Sequence, residues 1–201
     1  FFLIDKVEKL KLRNKLTDFS NDDIILTHIA TFITQKNHIF LLDVLKRLPK
    51  NYKLYLGGTV ENTEHMVNFE RVQNKIDELD LKDRVILTKK FIENIDEYIK
   101  LCDVFLFPTW NEALGTPILE AQACGVPVVA NLMHGSTDYW IKDNKGGFVV
   151  EKFDDKLWAE KIKLALNISN ETLRENSSKI IKIASAKNID AEYFKRIEEI
   201  T

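Results

Sequence analysis

The chain has 201 residues, of which 45% are hydrophobic and 30% charged, and its formal net charge is −2. This length and balance are typical of one globular domain with a proper core, and they exclude two domains of ordinary size. The charge gives no reason to expect nucleic acid or an anionic membrane as the main partner, and no apolar run approaches the ~20 residues that span a bilayer.

The amino-terminal part mixes charged and apolar residues. Asp5 to Leu16, DKVEKLKLRNKL, predicts a short amphipathic helix or connector whose basic face is solvated. The chain starts on FFLI without an initiating methionine or a signal-peptide pattern, so we expect a piece of something longer. Cys102 and Cys124 lie in apolar contexts and are expected to be buried free thiols in a reducing compartment, and no metal-ligand spacing is present.

From residue 24 onward, strand-like and helix-like segments alternate. Strands are predicted at Ile24–Phe32, Tyr52–Leu56, Arg84–Thr88, Val104–Phe107, Val126–Ala130 and Gly147–Val150. Helices are predicted at His38–Leu48, Asn62–Leu79, Ile95–Leu101, Ser136–Ile141, Asp154–Asn167, Glu171–Ala186 and Asp190–Ile200. This alternation predicts an α/β fold, a doubly wound parallel sheet of about six strands with helices on both faces.

The stretch from Pro108 to Pro127, PTWNEALGTPILEAQACGVP, lies between two apolar strands and holds three of the chain's four prolines. Gly115 permits a tight turn, Thr116 can cap a helix, and Pro117 is expected at the first helical position. Gly125 then ends the helix. The sequence therefore predicts a strand, a loop and a short helix at the carboxyl end of the sheet.

This arrangement predicts an anion site. The backbone N–H groups of Ile118 and Leu119 are expected to be free at the positive end of the helix, where phosphates bind in open α/β sheets. Glu112 and Glu120 flank the turn, and each carboxylate can accept hydrogen bonds from vicinal hydroxyls of a sugar or ribose. The alternative is that Glu120 only complements the helix dipole and that Glu112 is a solvated loop residue.

The segment NEALGTPILEAQACGVPVVAN resembles the signature of the retaining GT-B glycosyltransferases of family 4. The resemblance implies that Glu112 contacts hydroxyls of the donor sugar and that Glu120 holds the ribose of the nucleotide. It also implies that amides of the turn, from Gly115 through Thr116 to Leu119, meet the diphosphate. No metal is expected, because nothing in the sequence suggests the Asp-x-Asp metal site of the other large glycosyltransferase fold. No other cofactor is expected, since the donor is itself a substrate.

The resemblance extends to the loop after the first strand. It implies that Lys36 reaches the donor phosphates and stabilises the leaving diphosphate, while Thr31 stands where the family has an arginine. Lys89 or Lys90 can supply the missing charge. Gly57, followed by Gly58, fits the family's Gly-x-Gly turn loosely. The family also has a glycine pair followed by an acidic residue. In the segment HGSTDYW, Gly135 and Asp138 match this pattern, and His134 replaces the first glycine.

The resemblance covers about Ile24 to Glu160 and implies the Rossmann-like donor half of a two-domain enzyme. Residues 1–20 are expected to connect from an absent acceptor domain, 21–168 to bind the nucleotide sugar, and 169–201 to pack back toward the absent domain. The implied reaction transfers a sugar from a UDP- or GDP-linked donor to a hydroxyl with retention, in bacterial surface polysaccharide assembly. The expected location is cytoplasmic, with membrane contact at the inner face through the absent half.

Three alternatives remain open at this stage. A GT-B epimerase acting on the nucleotide sugar needs histidine and acidic residues that the sequence does not assign. A catalytically silent nucleotide-binding domain is favoured if Thr31 marks lost activity. A dinucleotide-dependent oxidoreductase is disfavoured because no G-x-G-x-x-G follows a predicted strand. His28, His38 and His65 are expected to be a strand residue, a helix-start residue and a surface residue.

Overall fold

The computed structural model describes residues 2–141 and 145–184. Within them, six parallel strands form one sheet in the order β3-β2-β1-β4-β5-β6. The strands are β1 Ile24–Ile29, β2 Tyr52–Gly57, β3 Val85–Thr88, β4 Val104–Phe107, β5 Val128–Asn131 and β6 Gly147–Val150. The predicted fold class, an α/β sheet of six parallel strands with helices on both faces, is confirmed.

The helices follow the predicted order. They are α1 Lys6–Leu16, α2 His38–Arg47, α3 Thr63–Glu78, α4 Ile95–Leu101, α5 Thr116–Ala123, α6 Thr137–Trp140, α7 Asp155–Ala165 and α8 Asn170–Ala184, with 3-10 turns at Thr34–Lys36 and Lys82–Arg84. The helix predicted at Asp190–Ile200, and the end of the one predicted at Glu171–Ala186, lie outside the described residues.

The core has two layers, one on each face of the sheet. Alternate strand residues point to opposite faces, so neighbours in one strand join different layers. Leu26 and Leu106 belong to the layer that α2, α3 and α7 cover. Ile25 and Phe105 belong to the layer that α4 and α5 cover. These buried strand residues fix the sheet between two sets of helices.

The strand order places a switch point between β1 and β4. From β1 the chain steps outward to β2 and β3, whereas from β4 it steps in the other direction to β5 and β6. With right-handed crossovers, the loops after β1 and β4 therefore turn toward opposite faces and leave a crevice between them. Ligands of open α/β sheets bind in such a crevice, outside the carboxyl ends of the strands.

The basic face of α1 is solvated only in part: Lys6, Lys11 and Lys15 are exposed as expected, whereas Lys9 and Arg13 are not. Arg13 is only 5% exposed. Its guanidinium donates to Oδ2 of Asp103 at 2.6 Å and to the carbonyl of Leu101 at 2.8 Å, while Lys9 donates to Oδ1 of Asp103 at 2.8 Å. The guanidinium is tolerated there because the carboxylate and the carbonyl replace its water. These contacts tie α1 to the start of β4.

The described part of α8 packs against α5. Ser177 donates a hydrogen bond to the carbonyl of Ala123 at 2.6 Å, and Asn176 donates to Oε1 of Gln122 at 2.7 Å. Cys102 and Cys124 are buried free thiols, as predicted. Burial raises the pKa of Cys102 to about 12 and that of Cys124 to about 11, so neither thiol is a ready nucleophile at neutral pH.

Candidate functional site

The start of α5 differs by one residue from the prediction. Gly115 is the N-cap residue, in the left-handed conformation with φ 71°, and Thr116 and Pro117 are the first two helical residues. A Cβ atom at position 115 would stand 3.0 Å from Cδ1 of Ile118. Position 115 therefore needs glycine for its backbone angle and for its close contact. The prediction of Thr116 as the cap was wrong.

The backbone amides at this helix start are only partly available. The N–H of Ile118 donates to the carbonyl of Gly115 at 2.9 Å. The expectation that Ile118 presents a free amide was therefore wrong, because the first turn is tightened by this bond. Leu119, one residue further into α5, stays a predicted phosphate contact.

Lys36 and Glu112 come together across the switch point. Lys36 ends the 3-10 turn after β1, and Glu112 lies in the loop after β4. The Nζ of Lys36 donates to Oε2 of Glu112 at 2.8 Å, and the two side chains are 17% and 27% exposed. These loops thus hold a cation and a carboxylate side by side, both of them largely buried.

Glu120 lies in α5, and its carboxylate has no hydrogen-bond partner within the part of the chain that the structure describes. It is partly buried, and this burial raises the pKa of its carboxyl group. A half-buried carboxylate without a donor is costly unless a ligand or water supplies one. Its position after the Gly115 turn suits a ligand hydroxyl.

Thr31 and the glycine pair after β2 serve the packing of two loops. The hydroxyls of Thr31 and Thr59 are hydrogen-bonded at 3.1 Å. A Cβ at Gly58 would fall 1.8 Å from the carbonyl oxygen of Ala30, and one at Gly57 would fall 2.8 Å from side-chain atoms of Ile92 and Tyr55. Glycine is required at position 58 because the loops after β1 and β2 touch there. A role of Gly57 or Thr31 in ligand binding stays a prediction.

Lys89 and the segment from His134 to Asp138 contact groups other than Lys36 and Glu112. The ammonium group of Lys89 lies 3.9 Å from Sδ of Met66 and 5.2 Å from the ring centre of Phe69, so its contacts are with α3. His134 is exposed, and its Nδ1 lies 3.1 Å from Oδ2 of Asp138. Asp138 also accepts from the amide of Gly135 at 2.8 Å. This cluster forms its own local turn.

His28 was not predicted to be part of the site, yet it connects the two loops. It is fully buried in β1, as a strand residue. Its Nδ1 lies 3.0 Å from the carbonyl oxygen of Leu106 in β4, and its Nε2 lies 3.0 Å from that of Lys36. Burial, partly offset by these carbonyls, lowers its pKa to about 4. The one sequence signal was a polar ring inside an apolar strand.

Two buried hydroxyls in the loops after β4 and β5 were also not predicted. Thr109 follows β4, and Ser136 lies in the loop before α6. Neither side-chain oxygen has a hydrogen-bond partner in the described structure. The oxygen of Ser136 lies 3.4 Å from the place where a Cβ of Gly115 would be. Unpaired buried hydroxyls are uncommon and often mark a place that a ligand or water completes.

Metal-ligand clusters and membrane spans were examined over residues 2–141 and 145–184. No group of three or more His, Cys, Asp or Glu side chains there can hold a metal ion. No helix in the same residues is long and apolar enough to cross a membrane.

The sequence matches the family described as Glycosyl transferases group 1 over residues 9–184. It is 31% identical over 178 residues to the capsular polysaccharide biosynthesis glycosyltransferase CapM of Staphylococcus aureus, a match that covers 85% of this chain and 43% of CapM. It is 32% identical over 111 residues to the putative glycosyltransferase EpsF of Bacillus subtilis, covering 54% of this chain and 27% of EpsF. The chain thus spans less than half the length of these curated relatives.

The fold resembles half of HepE from Anabaena, which was crystallised with UDP and glucose. The TM-score is 0.86 at 18% sequence identity, over 98% of this chain and 54% of HepE. A crystallised C-terminal domain of a group 1 glycosyl transferase, LpcC of Francisella tularensis, matches with a TM-score of 0.71 at 15% identity. That match covers 91% of this chain and 95% of the LpcC domain. At these identities the similarity concerns the fold.

Proposed function

The chain belongs to the glycosyl transferases group 1 family, and on that premise we propose that it is the donor-binding half of a sugar-transferring enzyme. The donor is a sugar linked to UDP or GDP, and the acceptor group is a hydroxyl. The observation that carries this proposal is the Lys36–Glu112 pair, joined at 2.8 Å across the switch point beside the start of α5. A cation, a carboxylate and a helix start at one crevice suit a phosphorylated sugar.

Each residue has a chemical task in this proposal. The diphosphate lies at the start of α5, near Gly115, Thr116 and Leu119, and receives the ammonium group of Lys36. Negative charge grows on the diphosphate as the bond to the sugar breaks, and a fixed cation stabilises that charge without rearrangement. Glu112 accepts hydrogen bonds from the sugar, and Glu120 accepts them from the ribose.

The finer features of the reaction also belong to the proposal. The sugar is transferred with retention of its anomeric configuration, and neither a metal ion nor another cofactor takes part. The similarity to CapM, named for capsular polysaccharide biosynthesis, supports a role in the assembly of a bacterial surface polysaccharide. Such work takes place in the cytoplasm, at the inner face of the membrane.

The domain organisation is proposed in the same terms. Residues 21–168 bind the nucleotide sugar, residues 1–20 connect to an acceptor domain, and residues 169–201 pack back toward it. The coverage of 43% of CapM supports a second domain of similar size in the whole protein. The isolated chain should bind the donor and turn over little or none of it.

Thr31 favours one other candidate, a nucleotide-binding domain without transferase activity. The hydroxyl groups of Thr31 and Thr59 are hydrogen-bonded at 3.1 Å. Threonine carries no positive charge, so position 31 cannot form an ion pair with a phosphate. Lys89 does not replace that charge in the observed conformation, because it contacts α3. Lys36 is then the cation on which the diphosphate depends. A silent domain would bind the nucleotide and still transfer nothing in the full-length protein.

Calorimetric titration with UDP, GDP and their sugars tests the donor site. We expect saturable binding that favours one base and that Glu120→Ala weakens about tenfold or more, because a hydrogen bond to a charged group contributes about 1.5–3 kcal/mol. Glu160→Ala, an exposed glutamate on α7, is the matched control and should bind as the parent does. Absence of nucleotide binding by the folded chain at millimolar concentration, or equal binding by Glu120→Ala, would contradict the proposal.

A further inference from the structure

The loop that carries Lys36 runs from Ala30, after β1, to Asn37, before α2, and we call it the Lys36 loop. Two hydrogen bonds inside it are local. The amide of Lys36 donates to the carbonyl of Ile33 at 3.0 Å, and that of Asn37 donates to the carbonyl of Thr34 at 3.1 Å. These bonds shape the turn but do not fix it against the sheet. Two buried histidines contact the loop at its two ends.

His28, fully buried in β1, contacts the end of the Lys36 loop. Its Nε2 lies 3.0 Å from the carbonyl oxygen of Lys36, and no backbone amide among the described residues donates to that oxygen. Its Nδ1 lies 3.0 Å from the carbonyl oxygen of Leu106 in β4, the strand that leads to Glu112. Burial lowers the pKa of His28 to about 4, so at pH 7 the ring is neutral and has a single N–H. One imidazole thus joins the backbone of Lys36 to the strand across the switch point.

His38 contacts the start of the same loop. It is the first residue of α2 and is buried. Its ring hydrogen-bonds the backbone carbonyl of Ala30 and stacks on Phe32, with the two ring centres 4.4 Å apart. The ring centres of His28 and His38 are 4.6 Å apart. The two imidazoles therefore form a buried pair, and each binds one end of the Lys36 loop.

The backbone position of Lys36 decides where its ammonium group lies. Nζ is 2.8 Å from Oε2 of Glu112 and 6.0 Å from the ring centre of Phe107, and the side chain is only 17% exposed. A side chain enclosed in this way moves with its backbone. A misplacement of about 1 Å can cost a reaction about a hundredfold in rate, so a contact that fixes this backbone matters to any chemistry that uses the ammonium group.

We propose that His28 is a positioning residue for the transfer step. Its Nε2–H donates to the carbonyl of Lys36 and holds the ammonium group where the departing diphosphate needs it, while His38 fixes the start of the same loop. The single ring proton faces Lys36 because that oxygen has no backbone donor. A cation that is fixed before the donor binds stabilises the growing charge without rearrangement. This role rests on the proposed function, since it acts through Lys36.

Two substitutions separate the two contacts of the ring. The amide nitrogen of glutamine lies the same number of bonds from Cβ as Nε2 of histidine, so His28→Gln keeps a donor for the carbonyl of Lys36. The amide nitrogen of asparagine lies as many bonds from Cβ as Nδ1, so His28→Asn keeps a donor for Leu106 and loses the one for Lys36. Both variants bury a neutral amide at the same place, which makes them a matched pair.

The first measurement is NMR of the chain without nucleotide. The side-chain signals of Lys36 and Glu112 should keep the parent's positions in His28→Gln and should move in His28→Asn. Unmoved signals in His28→Asn, or equal displacement in both variants, would overturn the inference. The parent supplies a check that needs no variant to fold: the nitrogen spectrum of the His28 ring at pH 7 should show the proton on Nε2. A proton on Nδ1 would overturn the inference.

The second measurement is a double-mutant cycle on the affinity for UDP and GDP, followed by calorimetry. His28→Asn should weaken binding of the preferred nucleotide at least about fivefold, and His28→Gln less than about twofold. In the background of Lys36→Ala, His28→Asn should change the affinity less than about twofold, because no ammonium group is left to position. Equal weakening with and without Lys36 would overturn the inference. Ile76→Ala, a buried change near the end of α3, controls for lost stability and should bind as the parent does.

The two measurements separate this inference from the proposed function. The expected displacement of the Lys36 signals, together with no binding of UDP or GDP by the parent, would overturn the proposed function alone. Nucleotide binding by the parent that His28→Asn leaves unchanged would overturn the inference alone.

Discussion

The ion pair between Lys36 and Glu112 contains two of the three charged side chains that the proposed donor site uses. Before the donor binds, the two side chains neutralise each other at 2.8 Å. A diphosphate carries more charge than one carboxylate and attracts the ammonium group of Lys36 more strongly. Donor binding should therefore separate the pair, which leaves Glu112 free for sugar hydroxyls.

Glu112→Gln tests this exchange. Affinity for UDP should stay equal to the parent's or rise by a few-fold, since Lys36 no longer has a competing carboxylate. The additional affinity for UDP-glucose over UDP should disappear, because the amide is a weaker acceptor for sugar hydroxyls. Parallel calorimetric titrations with UDP and UDP-glucose measure both effects.

Glu97→Gln is the matched control, since Glu97 forms an ion pair with Lys15 at 2.8 Å on the surface. It should change neither affinity. A loss of UDP affinity in Glu112→Gln of the same size as the loss of UDP-glucose affinity would mean that Glu112 does not distinguish the sugar.

His28 makes stability depend on pH. Its pKa is lowered from 6.5 to about 4 by burial, so between these values the unfolded chain binds a proton that the folded chain does not. The free energy of unfolding therefore falls as pH is lowered from about 6.5 to about 4, by up to about 3 kcal/mol from this residue. Urea unfolding at pH 7, 6, 5 and 4.5 should show this loss.

His28→Phe should be less stable at pH 7 but should lose less stability on acidification, because the titrating ring is gone. The slope is reduced rather than abolished, since His38 has a lowered pKa as well. An unchanged slope in His28→Phe would show that the buried imidazole is not the source.

At the scale of elements, the sequence predicts strands and helices well where the pattern is local. β4 and α4 have the predicted bounds. An apolar run is sufficient to predict the strand, and an amphipathic pattern is sufficient to predict the helix. β1 ends at Ile29 rather than Phe32, because the chain leaves the sheet at Ala30 and Phe32 turns into the core under α2. β5 begins at Val128 because the amide of Val126 bonds back to Ala121 and closes α5.

The residues of the candidate site also differ in whether the sequence alone could predict them. Glu112 and the Gly115 turn were predicted from the sequence, because each lies beside a recognisable strand end or helix start, whereas Lys36 was predicted from the family resemblance alone. His28 was missed as the link between the two loops, because one of its two partners, the carbonyl of Leu106, comes 78 residues later in the chain. The basic face of α1 was misjudged for the same reason, since its counter-charge Asp103 comes 90 residues after Arg13.

Gly58→Ala tests the contact between the loops after β1 and β2. The new Cβ would fall 1.8 Å from the carbonyl oxygen of Ala30, so the backbone must move. We expect a loss of about 3 kcal/mol or more in the free energy of unfolding, measured by urea denaturation. Gly135→Ala is the control, because its Cβ meets no atom within 4 Å and only its φ of 80° opposes the change, at about 1 kcal/mol. Equal losses would show that the loops are not in tight contact.

At the scale of the whole molecule, the carboxyl ends of all six parallel strands lie along the same edge of the sheet, perpendicular to the strands. The loops after β1 and β4 open the crevice there, and α5 points its first turn at the same edge. α1 and α8 instead pack beside α4 and α5, away from this crevice. The residues of the proposed donor site therefore lie together at the carboxyl ends of the strands. α1 and α8 leave that side of the sheet open to the proposed acceptor domain.

The most direct test of the donor site is the mapping of UDP onto the backbone amides of this chain by NMR. We predict that the largest shift changes fall at Lys36, at residues 112–119 and at Glu120, and saturate together. Amides at the opposite edge of the sheet, such as those of Gly125 and Asn170, should not move. Shift changes concentrated at that opposite edge, or none at millimolar UDP, would contradict a donor site at the switch point between β1 and β4.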